Sequence, residues 1–393
     1  MSTPMKSYQA ATLLITHVAG MIDLVALPVW VGTLVQHYAL DFEQAGLTVT
    51  SFLLGVVAAS LLLAPLFNRL PRRLIAIGGY GTAAAAFFAA AHGTGSANLI
   101  GLHVVAGAGV GCGLSMTHGA IGRSSNPHRL FAVAGSALGL FAVAFYGAVP
   151  ALIAARGGPV LFTVIGTLMS IAALASVMFP QTLDDAGPVP AAAQPVPITP
   201  ATWYALAGLV CLTLNQATIF SFMERIGVAR GFGQDRVNLV LAIVGIVNLF
   251  PAALAGLLQR RLSPLAVAIA APVVQSALAL AITSSTVFPP FAAAASVFAF
   301  VMIFAHTFLF GLIARLDPTG RATASMPAVL MIGSALGPAL AGTVSQRLGF
   351  GGLGVSAVCV AVVGIACFVR AGRAARPSGA PEASPAVSTT STS

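Results

Sequence analysis

The feature that most constrains this chain is a series of apolar segments, each long enough to cross a membrane as a helix. The first, residues 11–36, reads ATLLITHVAGMIDLVALPVWVGTLVQ and contains one acid, Asp23, near its middle. A helix of about 20 apolar residues crosses a bilayer. An acid at that depth costs roughly 2.5–3.5 kcal/mol on insertion scales, so Asp23 is a candidate functional residue. Pro28 lacks a backbone N–H and predicts a kink just beyond the acid.

The composition is that of a membrane protein. Of the 393 residues, 58% are hydrophobic and 7% are charged, whereas a soluble domain has about 25% charged residues. The net charge of +9 comes from basic residues in short loops, where they orient helices rather than bind nucleic acid. The four cysteines lie inside apolar segments without metal-ligand spacing. We therefore expect neither a disulfide framework nor a metal site.

Division of the chain at charged residues, prolines and glycines predicts about twelve membrane spans. Thirteen of the 18 Lys and Arg residues fall on the side of the N-terminus and five on the other side. Because basic residues are enriched in cytoplasmic loops, we expect a multi-pass protein of the cytoplasmic (inner) membrane with both termini in the cytoplasm. The predicted spans lie near residues 9–35, 43–66, 74–92, 97–121, 129–154, 159–179, 201–227, 236–259, 264–284, 288–314, 321–347 and 350–371.

The spans divide into two halves, residues 1–179 and residues 201–371. Residues 180–200 are rich in proline and contain no base, which predicts a semi-extended cytoplasmic linker between the halves. Residues 372–393 are rich in Ser, Ala and Pro and predict a disordered cytoplasmic tail.

A short repeat supports this division. The pentapeptide GSALG occurs at residues 135–139 and again at residues 333–337. Both copies have the same predicted orientation, so the halves are predicted to be parallel repeats about an axis along the membrane normal. In the second copy the glycines continue through Pro338 to Gly342, a pattern that predicts a closely packed helix.

The loop after the second span carries a recognisable motif. Residues 64–73 read APLFNRLPRR and resemble the loop signature G-x-L-x-D-R-x-G-R-R of the major facilitator superfamily. Arg69, Arg72 and Arg73 match the family's bases, while Asn68 stands in place of its acid. The resemblance implies a gating loop between the two halves, with an amide hydrogen bond in place of the usual ion pair. Simple anchoring of the loop in the cytoplasm is an equal alternative for Arg72 and Arg73.

The fourth span contains HVVAGAGVG at residues 103–111, which is similar to the family pattern R-x-x-x-G-x-G-x-G with His103 in place of the arginine. Glycines four residues apart, such as Gly107 and Gly111, predict close approach of another helix. In related proton-driven members the basic residue lies near the acid of the first span. The resemblance therefore implies that His103 pairs with Asp23, directly or through a water. A histidine bonded to a backbone carbonyl is the alternative.

The seventh span is the counterpart of the first and offers candidate solute ligands. Asn215 and Gln216 are adjacent carboxamides at its middle, and buried carboxamides need hydrogen-bond partners such as a polar solute. Glu224 lies nearer the outer mouth, where it is a candidate solute ligand or gating residue. The remaining candidate solute ligands are Trp30, Tyr146 and Asn248.

The resemblance implies an all-α membrane protein with twelve transmembrane helices in two pseudo-symmetric six-helix bundles. It also implies a secondary active transporter that moves a small organic solute by alternating access, with efflux and uptake both open. We hypothesise that Asp23 couples transport to protons. No GxxxxGK[ST] loop and no catalytic constellation is evident, so we expect neither an enzyme nor a cofactor.

The expected partners are the solute, protons and the lipid bilayer, and we expect a monomer. The degraded loop signature keeps a second reading open. In it, the protein is a non-transporting membrane sensor or assembly partner that retains the transporter fold. The two readings differ at Asp23, because only a proton-coupled transporter needs that carboxyl group.

Overall fold

The computed structural model describes residues 6–63, 66, 69–124, 126–180, 198–317 and 321–375. Within them all regular structure is helical, which confirms the expected all-α class. The α-helices are α1 Ser7–Gly20, α2 Asp23–His37, α3 Phe42–Leu63, α4 Arg72–Ala91, α5 Ser96–Gly122, α6 Pro127–Arg156, α7 Pro159–Ala175, α8 Pro200–Ala229, α9 Gln234–Val247, α10 Pro251–Leu258, α11 Pro264–Ser284, α12 Phe288–Leu316 and α13 Arg321–Ala374.

Ten helical segments of the described chain are long and apolar enough to cross a membrane. One of them, Ser7–His37, combines α1 and α2, and another, Ala328–Ala374, has 47 residues. The long segment is interrupted at Gly349, whose φ of 69° and ψ of −178° lie outside helical geometry. Neither α9 nor α10 is long enough to be counted alone. The predicted count of twelve spans is thus not reproduced as such, although a multi-pass membrane protein is confirmed.

The first span is interrupted immediately before Asp23 and not at Pro28. The N–H of Ile22 donates to the carbonyl oxygen of Ala19 at 3.4 Å, and the N–H of Leu24 donates to Met21 at 3.2 Å. These bonds span three residues in place of four, so the helix tightens and ends at this point. The helix α2 continues through Pro28. A proline removes one backbone hydrogen bond, and a helix can continue past this loss.

The helices pack as two halves with matching neighbours, and we call α1–α7 the N-terminal half and α8–α13 the C-terminal half. In the N-terminal half α5 packs against α3 and α4, and in the C-terminal half α12 packs against α9, α10 and α11. Between the halves, α2 packs on α8, α3 on α13 and α6 on α9. The internal repeat relates α6 to α13 and α3 to α9, so it converts the contact of α3 with α13 into the contact of α9 with α6. The packing therefore agrees with the predicted parallel relation of the halves.

The hydrophobic core differs between the two ends of the molecule. Where α2 finishes and α3 begins, one buried cluster contains residues of both halves, including Phe52 and Phe222. At the opposite end each half has a cluster of its own, with Leu13 in the N-terminal half and Leu209 in the C-terminal half. We call the first the closed end and the second the split end. In the part of the chain that the structure describes, the halves are thus joined by a shared core at one end only.

Candidate functional site

At the closed end, α3 and α13 are in backbone contact. A methyl group on Gly46 would collide with the carbonyl oxygen of Pro338. The N–H of Ala339 donates a hydrogen bond across the halves to Oγ1 of Thr50 at 2.9 Å. Small residues allow two helices to approach this closely. The predicted close packing around Pro338 is confirmed, and it joins the two halves.

Asp23 lies where the shared core begins. It is the first residue of α2, and its side chain is 7% exposed. Ala19 and Ile22 belong to the shared cluster, whereas Leu13 belongs to the cluster of the split end. The N–H groups of a first helical turn favour a negative charge, and burial away from water disfavours it. Among the described residues, no basic side chain lies within 4.0 Å of the Asp23 carboxyl group.

His103 does not contact Asp23. Its Nε2 accepts a hydrogen bond from Nε1 of Trp30 at 3.0 Å, and its Nδ1 lies 2.7 Å from the carbonyl oxygen of Leu99. The carbonyl only accepts and the indole only donates, so this network assigns the neutral ring with hydrogen on Nδ1. The prediction that His103 pairs with Asp23 is wrong in this structure, because both ring nitrogens are engaged elsewhere. The alternative, a histidine bonded to a backbone carbonyl, is what the structure shows.

Three predicted solute ligands form hydrogen bonds within their own half. Trp30 is fully buried, and its indole N–H is engaged by the histidine described above. Nδ2 of Asn215 donates to the carbonyl oxygen of Ala357 at 3.3 Å, and Oε1 of Gln216 accepts from Nε2 of Gln275 at 3.1 Å. Each of these hydrogen bonds joins two residues of the same half, so none of them is a contact between the halves.

The other three candidates lie at or near the contact between the halves. The hydroxyl group of Tyr146 on α6 donates to the carbonyl oxygen of Val25 on α2. Asn248 ends α9, and its buried Oδ1 has no hydrogen-bond partner among the described residues. Glu224 on α8 is 4% exposed. The bond of Tyr146 lies within the N-terminal half, but α6 packs against α9, which ends at Asn248, and α8 with Glu224 packs against α2.

The residues that surround Glu224 were not among those predicted from the sequence. Oε1 of Glu224 accepts a hydrogen bond from Nε2 of Gln234 at 2.7 Å, and the same amide lies 3.1 Å from Oδ1 of Asn238. On the facing helix α2, Gly32 leaves room for the carboxyl group. Gln234 and Asn238 are polar residues four apart at the start of a span, and this spacing is the signal that could have identified them.

The predicted gating loop is described only in part. Asn68 lies outside the described residues, and Arg69 is exposed. Arg72 begins α4. Nη2 of Arg73 donates to the carbonyl oxygen of Phe179 at 3.4 Å, a contact within the N-terminal half. Arg73 thus does not bridge the halves here, in agreement with the separation of the two cores at the split end.

The sequence matches the family model described as Major Facilitator Superfamily over residues 12–326. No curated protein sequence matches the chain significantly.

Solved structures with the same fold are transporters. A bacterial homolog of the human lysosomal transporter Spinster, in an inward-facing and occupied conformation, is 14% identical with a TM-score of 0.72, and the match covers 95% of this chain and 98% of that one. A mutant of the nucleoside transporter NupG is 13% identical with a TM-score of 0.70, covering 94% and 100%. On the family match and this shared fold, the chain belongs to the Major Facilitator Superfamily of membrane transporters.

Proposed function

We propose that the protein moves a small organic solute across the cytoplasmic membrane by alternating access, driven by protons. Family membership supports transport. A shared core at one end and separate cores at the other support a state that is sealed on one side. The inward-facing conformation of the Spinster homolog, together with the distribution of Lys and Arg, supports a split end that faces the cytoplasm.

The observation that carries the proton coupling is the position of Asp23 at the helix break between the shared core and the split end. A protonated carboxyl group can stay buried there, whereas an ionised one favours water. Movement of the halves changes which side supplies that water. Asp23 would then take up a proton from one compartment and release it to the other as the solute crosses.

For the solute site we propose the contact between the halves, with Tyr146, Glu224 and Asn248 as the first candidates. Asn215, Gln216 and Trp30 could join it only after a rearrangement that frees their present hydrogen bonds. In the states in which Asp23 or Glu224 is ionised, its charge favours a neutral or cationic solute over an anion, because like charges repel.

The test is a ligand-thermostability screen on purified protein at about pH 6 and about pH 8. Wild type is compared with Asp23→Asn and with a matched control, Asp235→Asn, which removes an exposed acid at the start of α9. A solute that binds the folded state stabilises it by mass action, by about 2.7 kcal/mol at 100 times its Kd. This stabilisation raises the melting temperature. We expect a shift that depends on pH in wild type and control, and a clearly weaker dependence in Asp23→Asn.

Each hit is then measured in proteoliposomes with and without a proton gradient. The proposal expects at least tenfold gradient-driven accumulation in wild type, and exchange without accumulation in Asp23→Asn. A ligand shift that is the same at both pH values and in Asp23→Asn contradicts proton coupling through this residue. A solute that binds but does not cross the membrane in wild type favours the sensor reading.

A further inference from the structure

A small cavity of about 100 Å³ lies between the two halves at the closed end. The N-terminal half contributes side chains from α2 and α6, and the C-terminal half contributes side chains from α8 and α9. Its polar lining comprises Thr33, Gln36, His37, Glu224, Gln234 and Asn238. The cavity is therefore a polar space that exists only while the halves are together.

Glu224 is the buried acid of this cavity, and only one of its oxygens has a partner. Oε1 accepts from Gln234, whereas Oε2 is buried without a hydrogen-bond partner among the described residues. An ionised carboxylate offers about four acceptor sites over its two oxygens. A single donor leaves most of that capacity unused, which is costly for a charge removed from water.

Oε2 of Glu224 faces the opposite half. A methyl group on Gly32 of α2 would collide with Oε2 of Glu224, so the carboxyl group sits directly over the backbone of that helix. When the halves separate at this end, Gly32 moves away from Glu224 and water reaches the carboxyl group. The environment of this acid thus changes with the conformation.

Among the described residues, no charged group forms an ion pair with Glu224. Tyr146 of α6 uses its hydroxyl hydrogen on a backbone carbonyl. His37 of α2 lines the cavity and is exposed at its rim. Arg225 follows Glu224 on α8, and its charge favours the ionised carboxylate from beyond ion-pair distance. On α9, Asp235 is exposed and lies outside the lining, as does the adjacent Arg236.

We propose that Glu224 is a proton-binding site of the closed end, separate from Asp23. The carboxylate takes one proton from the water on that side as the end closes, and the resulting carboxylic acid is buried against Gly32. The acid returns the proton to the same side when the end opens. The carboxamide and hydroxyl oxygens of Gln36, Asn238 and Thr33 are the acceptors available to the acidic hydrogen. Low pH on that side therefore favours closure, and rising pH favours opening.

The experiment measures the closed end directly. Spin labels are placed at His92→Cys, after α4, and at Thr286→Cys, before α12, which are exposed loop positions on opposite halves. The native cysteines Cys112, Cys211, Cys359 and Cys367 are replaced by Ser. Distances between the labels are measured by pulsed electron paramagnetic resonance at about pH 5 and about pH 8.5.

In wild type we expect the fraction of long distances to rise at least threefold from the lower to the higher pH. In Glu224→Gln, whose amide imitates the protonated acid, we expect short distances at both pH values. His37→Gln removes the other titratable group of the cavity and is expected to behave as wild type. Equal pH dependence in wild type and Glu224→Gln overturns the proposal, and so does a wild-type distribution that ignores pH.

A second variant, Gln234→Leu, keeps the acid and removes the only donor to it among the described residues. Because that hydrogen bond favours the ionised form, its loss is expected to shift the midpoint of closure to higher pH. An unchanged midpoint overturns the proposal. A repeat with sodium replaced by N-methylglucamine is expected to change nothing, and closure that requires sodium overturns the assignment of a proton. The readout is a distance and not transport, so it can fail while coupling through Asp23 stands, and the reverse.

Discussion

The contacts within each half and the contacts between the halves both depend on glycines, but they have different consequences. Within the N-terminal half, Gly107 of α5 lies against the backbone of Phe52, and between the halves Gly46 lies against the backbone of Pro338. Both are glycine contacts without room for a methyl group. Each half, however, keeps its own buried cluster at the split end. We therefore expect that a rigid-body movement can release the contact between the halves but not the contact within a half.

The largest effect is expected from a methyl group inside one half. In Gly107→Ala the new methyl group meets the carbonyl of Phe52, and neither helix can retreat because both belong to the same core. We expect the free energy of unfolding to fall by about 1–3 kcal/mol, measured by thermal unfolding of purified protein. Gly101→Ala on the same helix is the matched control, since nothing lies within 4 Å of its position. Equal losses in both variants would contradict the packing argument.

A second loss of stability is expected inside the same half at His103. In His103→Leu the indole N–H of Trp30 loses its acceptor while remaining buried, which costs about 1–3 kcal/mol. We expect a lower melting temperature and an unchanged pH dependence of solute binding. A variant in which this pH dependence is weakened, as it is expected to be in Asp23→Asn, would show that His103 reaches Asp23 in another state of the transport cycle.

Between the halves, the matched change is Gly46→Ala. Its methyl group meets the carbonyl oxygen of Pro338, and the halves can relieve the collision by moving apart. We expect the free energy of unfolding to change by less than about 1 kcal/mol. We also expect more long distances between the labels at the closed end. A stability loss as large as that of Gly107→Ala would show that the two halves do not separate there as rigid bodies.

The sequence was informative where the physics is local and uninformative where it depends on partners. Apolar length and basic loops predicted a helical membrane protein, and the glycine spacing of the fourth span predicted its tight packing. The sequence did not indicate the helix break before Asp23, because Pro28 is the stronger local signal for a kink. The role of His103 was mistaken because a single sequence does not show that Trp30 faces it. Glu224 was noticed as an acid, but its partner Gly32 lies on a helix far away in the chain.

The smallest effect is expected from Glu43, an acid at the surface of the closed end, and it sharpens the contrast with Glu224. Oε1 of Glu43 lies 4.0 Å from Nη2 of Arg347, and the two side chains are 37% and 70% exposed. Exposed pairs contribute about 0–1 kcal/mol and are screened by salt. In Glu43→Gln we therefore expect a slight increase in long distances at low salt, none at high salt, and the wild-type response to pH. If Glu43→Gln instead abolished the pH response, the surface pair would control the closed end, and the buried carboxyl group would only fill the space that Gly32 leaves.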